Sequence, residues 1–155
     1  MPDSLNKLGG NERISTLVEE YLDEKERVLQ AISSTDFEKE EMRRKFKKIE
    51  QSEDSFIKSK NVSFIENKLN QLRNLHWDAL CNTTSFLISK YVIWRELPKE
   101  YYKDYPAARA LINMADASLE KEKYAEFRRH VFSLTHLMVT TKYYINKDFK
   151  GTGIG

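Results

Sequence analysis

Cysteine, glycine and proline are all scarce in this chain, at one, five and three among 155 residues. A lone thiol, Cys81, excludes an intrachain disulfide, and inside an apolar helical stretch it reads as a small buried hydrophobe in a reducing compartment. So few glycines disfavour a Gly-rich nucleotide fold. So few breakers of either kind leave long uninterrupted stretches that favour helix. No apolar run approaches the ~20 residues needed to span a bilayer. "FLISKYVIW", from Phe86 to Trp94, is the most apolar segment and is interrupted by Lys90. The first fifteen residues hold Asp3, Lys7, Glu12 and Arg13 with no apolar core of a secretory signal, so a cytoplasmic location is expected and no membrane contact. The sequons at Asn61 and Asn82 are then chance matches.

Charge of one sign is missing as well. The chain has 26 basic and 24 acidic residues, a net charge of +2, with the two signs interspersed. A dedicated nucleic-acid binder needs many unopposed Lys and Arg facing phosphates, so nucleic acid is the weaker partner class. The apolar fraction of 40%, with 12% aromatics, is enough to bury a core, and the length suits one domain.

The expected fold is all-α, a bundle of five to six amphipathic helices ending in a helical hairpin. Residues 1–10 read as a flexible segment, 11–140 as the helical bundle domain and 141–155 as a flexible tail, as in a chain excised from a larger protein. Ile14, Leu17, Val18, Tyr21, Leu22, Val28, Leu29 and Ile32 recur at three-four spacing and predict a helix over about 12–33. Thr35 and Glu38 then form a capping box for a second helix with a thin apolar side at Phe37, Met42, Phe46 and Ile49. "QSEDSFIKSKN" reads as the break after it.

A second capping box, Ser63 with Glu66, opens a helix over about 64–81, and "NTTS" either caps a further helix over about 84–97 or lies within one continuous helix. That fourth helix is apolar on nearly every side, which predicts a place in the middle of the bundle. Pro98 ends it, and "KEYYKDY" forms an aromatic connection. Asp104 caps the next helix with Pro106 in its first turn, and "EKEK" turns into a last helix faced by Tyr124, Phe127, Val131, Leu134 and Met138.

Candidate chemistry is thin. His130 and His136 are six residues apart, roughly 240° around a helix, so they share no face and no metal is expected. His76 beside Trp77 reads as a core-edge residue, and Cys81 has no positional partner for nucleophilic catalysis. "GTGIG" follows no strand and opens no helix, so it predicts no phosphate loop. No catalysis and no cofactor are expected. Arg43 to Lys48 reads as a mostly solvated basic face, with a small helical nucleic-acid-associated subunit as the alternative function. The more specific candidate is a partner-binding patch of Trp94, Tyr101, Tyr102 and Tyr105 near Arg128 of the second basic run, since Tyr, Trp and Arg favour interfaces. Its rival is that the same rings pack the connection over the helices.

"LRNLHWDAL", an aromatic apolar helix, "YKDYPAARALI" and "LEKEKYAEFRRHVFSLTHL", across about residues 70–139, together resemble the C-terminal helical region of bacterial DnaK-related chaperones of the seventy-kilodalton heat-shock class. The resemblance rests on the order of elements, the D-x-x-x-A-x-x-L-I start at Asp104 and Phe127-Arg128 opening the final helix. Ala115 and Ser118 depart from the Gly and Ala of the family pattern, and no proline follows Leu137-Met138. The resemblance implies that the chain is a helical accessory segment, with an actin-like ATPase domain and a peptide-binding region elsewhere; the expected partner is protein or unfolded polypeptide. No nucleotide-binding residue carries over.

Overall fold

The computed structural model describes the backbone of residues 2–139 and the side chains of 11–139. The tail expected at 141–155 lies outside the described residues, as do the side chains of the expected flexible segment 1–10. Six long α-helices and one of six residues account for the fold, with no strand among the described residues. The described chain divides between Leu80 and Cys81 into two compact units.

The first unit contains α1 (Pro2–Ser33), α2 (Lys39–Gln51), α3 (Glu53–Lys58) and α4 (Val62–Cys81), the last reaching the boundary between the units. Its core draws Leu17, Tyr21, Val28 and Ile32 from α1, Met42, Phe46 and Ile49 from α2, Phe56 from α3, and a leucine-rich face of α4. The inward positions of α1 step by four, three, four and four residues, the spacing of one helical face, but the position between Tyr21 and Val28 is Glu24, which is buried. Leu22 and Leu29, counted in the predicted stripe, are exposed.

The helix ends differ from the predicted capping boxes. The Thr35 hydroxyl donates to the Ile32 carbonyl at 2.7 Å, and the Lys39 ammonium to that of Ser33 at 3.0 Å. Both donate to carbonyls at the end of α1, that of Ile32 also accepting from the Thr35 N–H at 3.2 Å, and not to the start of α2. Glu38 takes a left-handed φ of 59° immediately before α2, which swings its side chain out of capping geometry. At α4 the cap is Asn61, whose Oδ1 accepts from the Phe64 N–H at 3.1 Å, so Ser63 falls inside the first turn. The segment read as a break contains α3, formed because Phe56 is wholly buried. Its ring meets Tyr21 edge-on at 4.8 Å and stacks on Phe64 at 6.0 Å.

The second unit contains α5 (Thr84–Trp94), a 3-10 turn (Lys99–Tyr101), α6 (Tyr105–Glu120) and α7 (Tyr124–Leu137). Thr83 is extended, so the chain breaks between α4 and α5 and the continuous helix does not form. Asp104 caps α6 as its sequence predicts, accepting from the Ala107 N–H at 3.1 Å. The most extensively packed helix pair is α6 with α7, the C-terminal hairpin. Ala108 and Ala115 on α6 are buried, as are Phe127, Val131 and Leu134 on α7. Glu122, with φ of 57°, makes the reversal, and the Lys123 N–H donates back to the Ser118 carbonyl at 2.9 Å. The all-round apolar α5 is not enclosed on every side. Leu87, Lys90, Tyr91 and Trp94 are buried while Val92 and Ile93 are 50% and 51% exposed.

Candidate functional site

The aromatic corner is built by α5, the connection after it and the end of α7. Trp94, the last residue of α5, is buried, and so is Tyr102. The Tyr102 hydroxyl donates to the Trp94 carbonyl, which also accepts from the Leu97 N–H at 3.1 Å where α5 ends. One antiparallel bridge joins Tyr102 to Met138: Lys103 N–H donates to the Leu137 carbonyl and Val139 N–H to the Tyr101 carbonyl, both at 2.7 Å. Tyr105 tilts against Tyr102 at 6.1 Å. Tyr101 and Tyr105 are half-buried. The structure thus gathers Trp94, Tyr101, Tyr102 and Tyr105; the Trp94 and Tyr102 rings are buried, and the connection is tied to α5 by the Tyr102 hydroxyl and to the end of α7 by backbone bonds.

Arg128 is bound separately within the second unit. Its Nε donates to Asn82 Oδ1 at 2.7 Å, and its guanidinium lies 4.6 Å over the Phe132 ring. The nearby polar network is centred on Tyr91. Its hydroxyl donates to Asp116 Oδ1 at 2.6 Å and lies 2.9 Å from the Ile112 carbonyl, while Arg95 pairs with Asp116 Oδ2 at 2.8 Å. The Tyr91 ring meets Phe127 edge-on at 5.1 Å, so this one side chain touches both α6 and α7.

Burial pushes the phenols of Tyr91 and Tyr21 up, with the Asp116 and Glu53 carboxylates adding to the effect. Tyr102 is pushed up to about 12, first by burial and then by Tyr105. The folded state therefore keeps protons that the unfolded chain releases at about 10. Stability from these groups is intact below pH ~10 and falls as the pH rises through about 12. We expect helical circular dichroism to collapse cooperatively in that window, with part of the phenolate absorbance appearing only as the helices melt. Titration of all eight tyrosines near pH ~10 with helix intact would contradict this.

The remaining sequence candidates are dispersed. His136 Nδ1 contacts the Phe132 carbonyl at 2.7 Å, which turns the ring back on its own helix, and His130 is half-buried on α7. No three His, Cys, Asp or Glu side chains gather as a metal set among the described residues. In the basic run of α2, Arg43 pairs with Glu40 at 2.5 Å and Arg44 with Glu41, one turn away on the same helix. Both arginines thus have acidic partners within α2. No described helix is long and apolar enough to cross a membrane.

Sequence reasoning passed over the neighbouring β-branched pair Val92 and Ile93. Its exposure was hidden because periodicity cannot orient a helix that is apolar all round. Lys90 also misleads, because its side chain is buried, with the ammonium 5.8 Å from the Phe86 ring. With the geometry set out, comparison adds no relative: no family model, no curated protein and no solved structure matches the chain.

Proposed function

We propose that the chain is a non-catalytic, cytoplasmic protein-interaction module that contacts apolar segments of unfolded polypeptide. The observation that carries this is the Val92–Ile93 pair, two large aliphatic side chains half open to solvent on the most apolar helix of the second unit. Adjacent exposed aliphatics of this size are the kind of surface that protein partners cover. The half-buried rings of Tyr101 and Tyr105 offer amphipathic contacts in the same unit. The resemblance across about residues 70–139 supports a more specific assignment, the helical C-terminal part of a DnaK-like chaperone.

The test is binding of fluorescently labelled apolar peptides to wild type and to a Val92→Glu, Ile93→Lys variant. Because both positions are exposed, the melting temperature should stay within a few degrees of wild type. Affinity should fall about ten-fold or more, as expected when an apolar contact is replaced by charge. Equal binding by the folded variant, or none by wild type, would overturn the proposal.

A further inference from the structure

Helices α2 and α4 of the first unit flank an open groove of about 320 Å³. Lys45, Lys48 and Lys68 line it with Gln71, Asn74 and Asp78, over a floor of Ile49 and Leu75. The charge there differs from that on the neighbouring arginines. Arg43 and Arg44 are each paired by a glutamate on their own helix, whereas none of the three lysines is within ion-pair distance of a carboxylate among the described residues, the charges of Lys45 and Lys48 acting on Glu41 from further off. Lys68 is oriented by its surroundings: its ammonium lies 3.5 Å from Gln71 Oε1 and 5.9 Å from the Phe64 ring centroid. Gln71 is in turn fixed by its Nε2 donating to Asn67 Oδ1 at 2.8 Å. Three lysine side chains lining one small groove give it the charge that attracts a compact anion, and a volume near 300 Å³ is the lower end for small-molecule sites. Asp78 breaks the symmetry. Its carboxylate repels an anion and accepts from a hydroxyl or amine, with Lys45 the cation whose charge acts on it.

We propose that this groove binds a compact phosphate ester, its phosphate held by Lys48 and Lys68 and a hydroxyl or amino group at the other end directed to Asp78. This is independent of the α5 surface, which belongs to the other unit. A lysine is a point-charge phosphate ligand with three donors, and a groove of this size holds one phosphorylated small molecule more readily than it tracks a polymer. The mixed charge of the chain favours the small ligand over nucleic acid.

Glycerol 3-phosphate, inorganic phosphate and glycerol are titrated into the full chain, and the side-chain amide NMR signals of Gln71 and Asn74 are followed. Glycerol 3-phosphate should shift both signals saturably in the millimolar range, with inorganic phosphate weaker and glycerol silent. Lys48→Gln with Lys68→Gln should weaken binding about ten-fold or more with no change in melting temperature. Asp78→Asn should narrow the preference for glycerol 3-phosphate over inorganic phosphate. No saturable shift, an equal shift with glycerol, or unchanged affinity in the double lysine variant would overturn the proposal, and an unchanged preference in Asp78→Asn would overturn the orientation. Tighter binding of a single-stranded oligonucleotide with steep salt dependence would assign the groove to nucleic acid instead.

Discussion

His76→Ala should destabilise the first unit by about 3–5 kcal/mol, a large share of the stability of a small unit. Glu24 is 3% exposed and His76 8%, and the carboxylate Oε1 lies 2.6 Å from His76 Nδ1. Arg27 reaches the other oxygen only at 3.5 Å and from solvent. Removing the imidazole leaves a buried carboxylate with one distant, exposed counter-charge, and the cost is the desolvation of that charge more than the worth of the lost bond. Replacing both partners by apolar residues of similar volume, Glu24→Met with His76→Leu, should recover most of the loss, because no charge is then left behind. Urea denaturation of Glu24→Met, of His76→Leu and of the double variant checks this. A double variant as unstable as the sum of the singles would show that the two side chains act independently.

Phe56→Ala should cost about 3–5 kcal/mol, the range for truncating a buried phenylalanine. The ring is wholly enclosed and touches Tyr21 and Phe64, so its removal leaves a cavity bordered by α1, α3 and α4. The short α3 also loses its only buried anchor, and six residues cannot sustain a helix without tertiary packing. The expected result is a lowered urea midpoint together with rapid hydrogen exchange in residues 53–58. A midpoint within about 1 kcal/mol of wild type would mean that α3 is dispensable to the core.

These two side chains mark where the sequence reading stopped. Phe56 lies in a polar stretch of eleven residues, too short and too charged to show a period, and only the cavity it fills makes the stretch helical. Glu24 occupies an inward step of α1 that no apolar side chain marks. The one cue was that 17, 21, 28 and 32 fit a single face with position 24 between them, and nothing local could name His76, 52 residues away, as its partner. At the aromatic corner the residue types of an interface patch and of a packed joint are the same. The structure buries the Trp94 and Tyr102 rings, with the Tyr102 hydroxyl bonded to the Trp94 carbonyl.

The sequence by itself determined the all-α class, the inward positions Met42, Phe46 and Ile49 of α2 and Phe127, Val131 and Leu134 of α7, though not Tyr124, which is exposed, the cap at Asp104 and the C-terminal hairpin. Each of these rests on local propensity, periodicity or a side chain bonding its own backbone neighbour, and such interactions are written within a few residues. Tertiary structure alone decided which way α5 faces, that Phe56 anchors a helix, and that Glu24 finds an imidazole. Those outcomes depend on which groups other helices leave unsatisfied or uncovered. A buried charge or an open carbonyl is settled by whatever donor packing brings within about 3 Å, irrespective of distance along the chain.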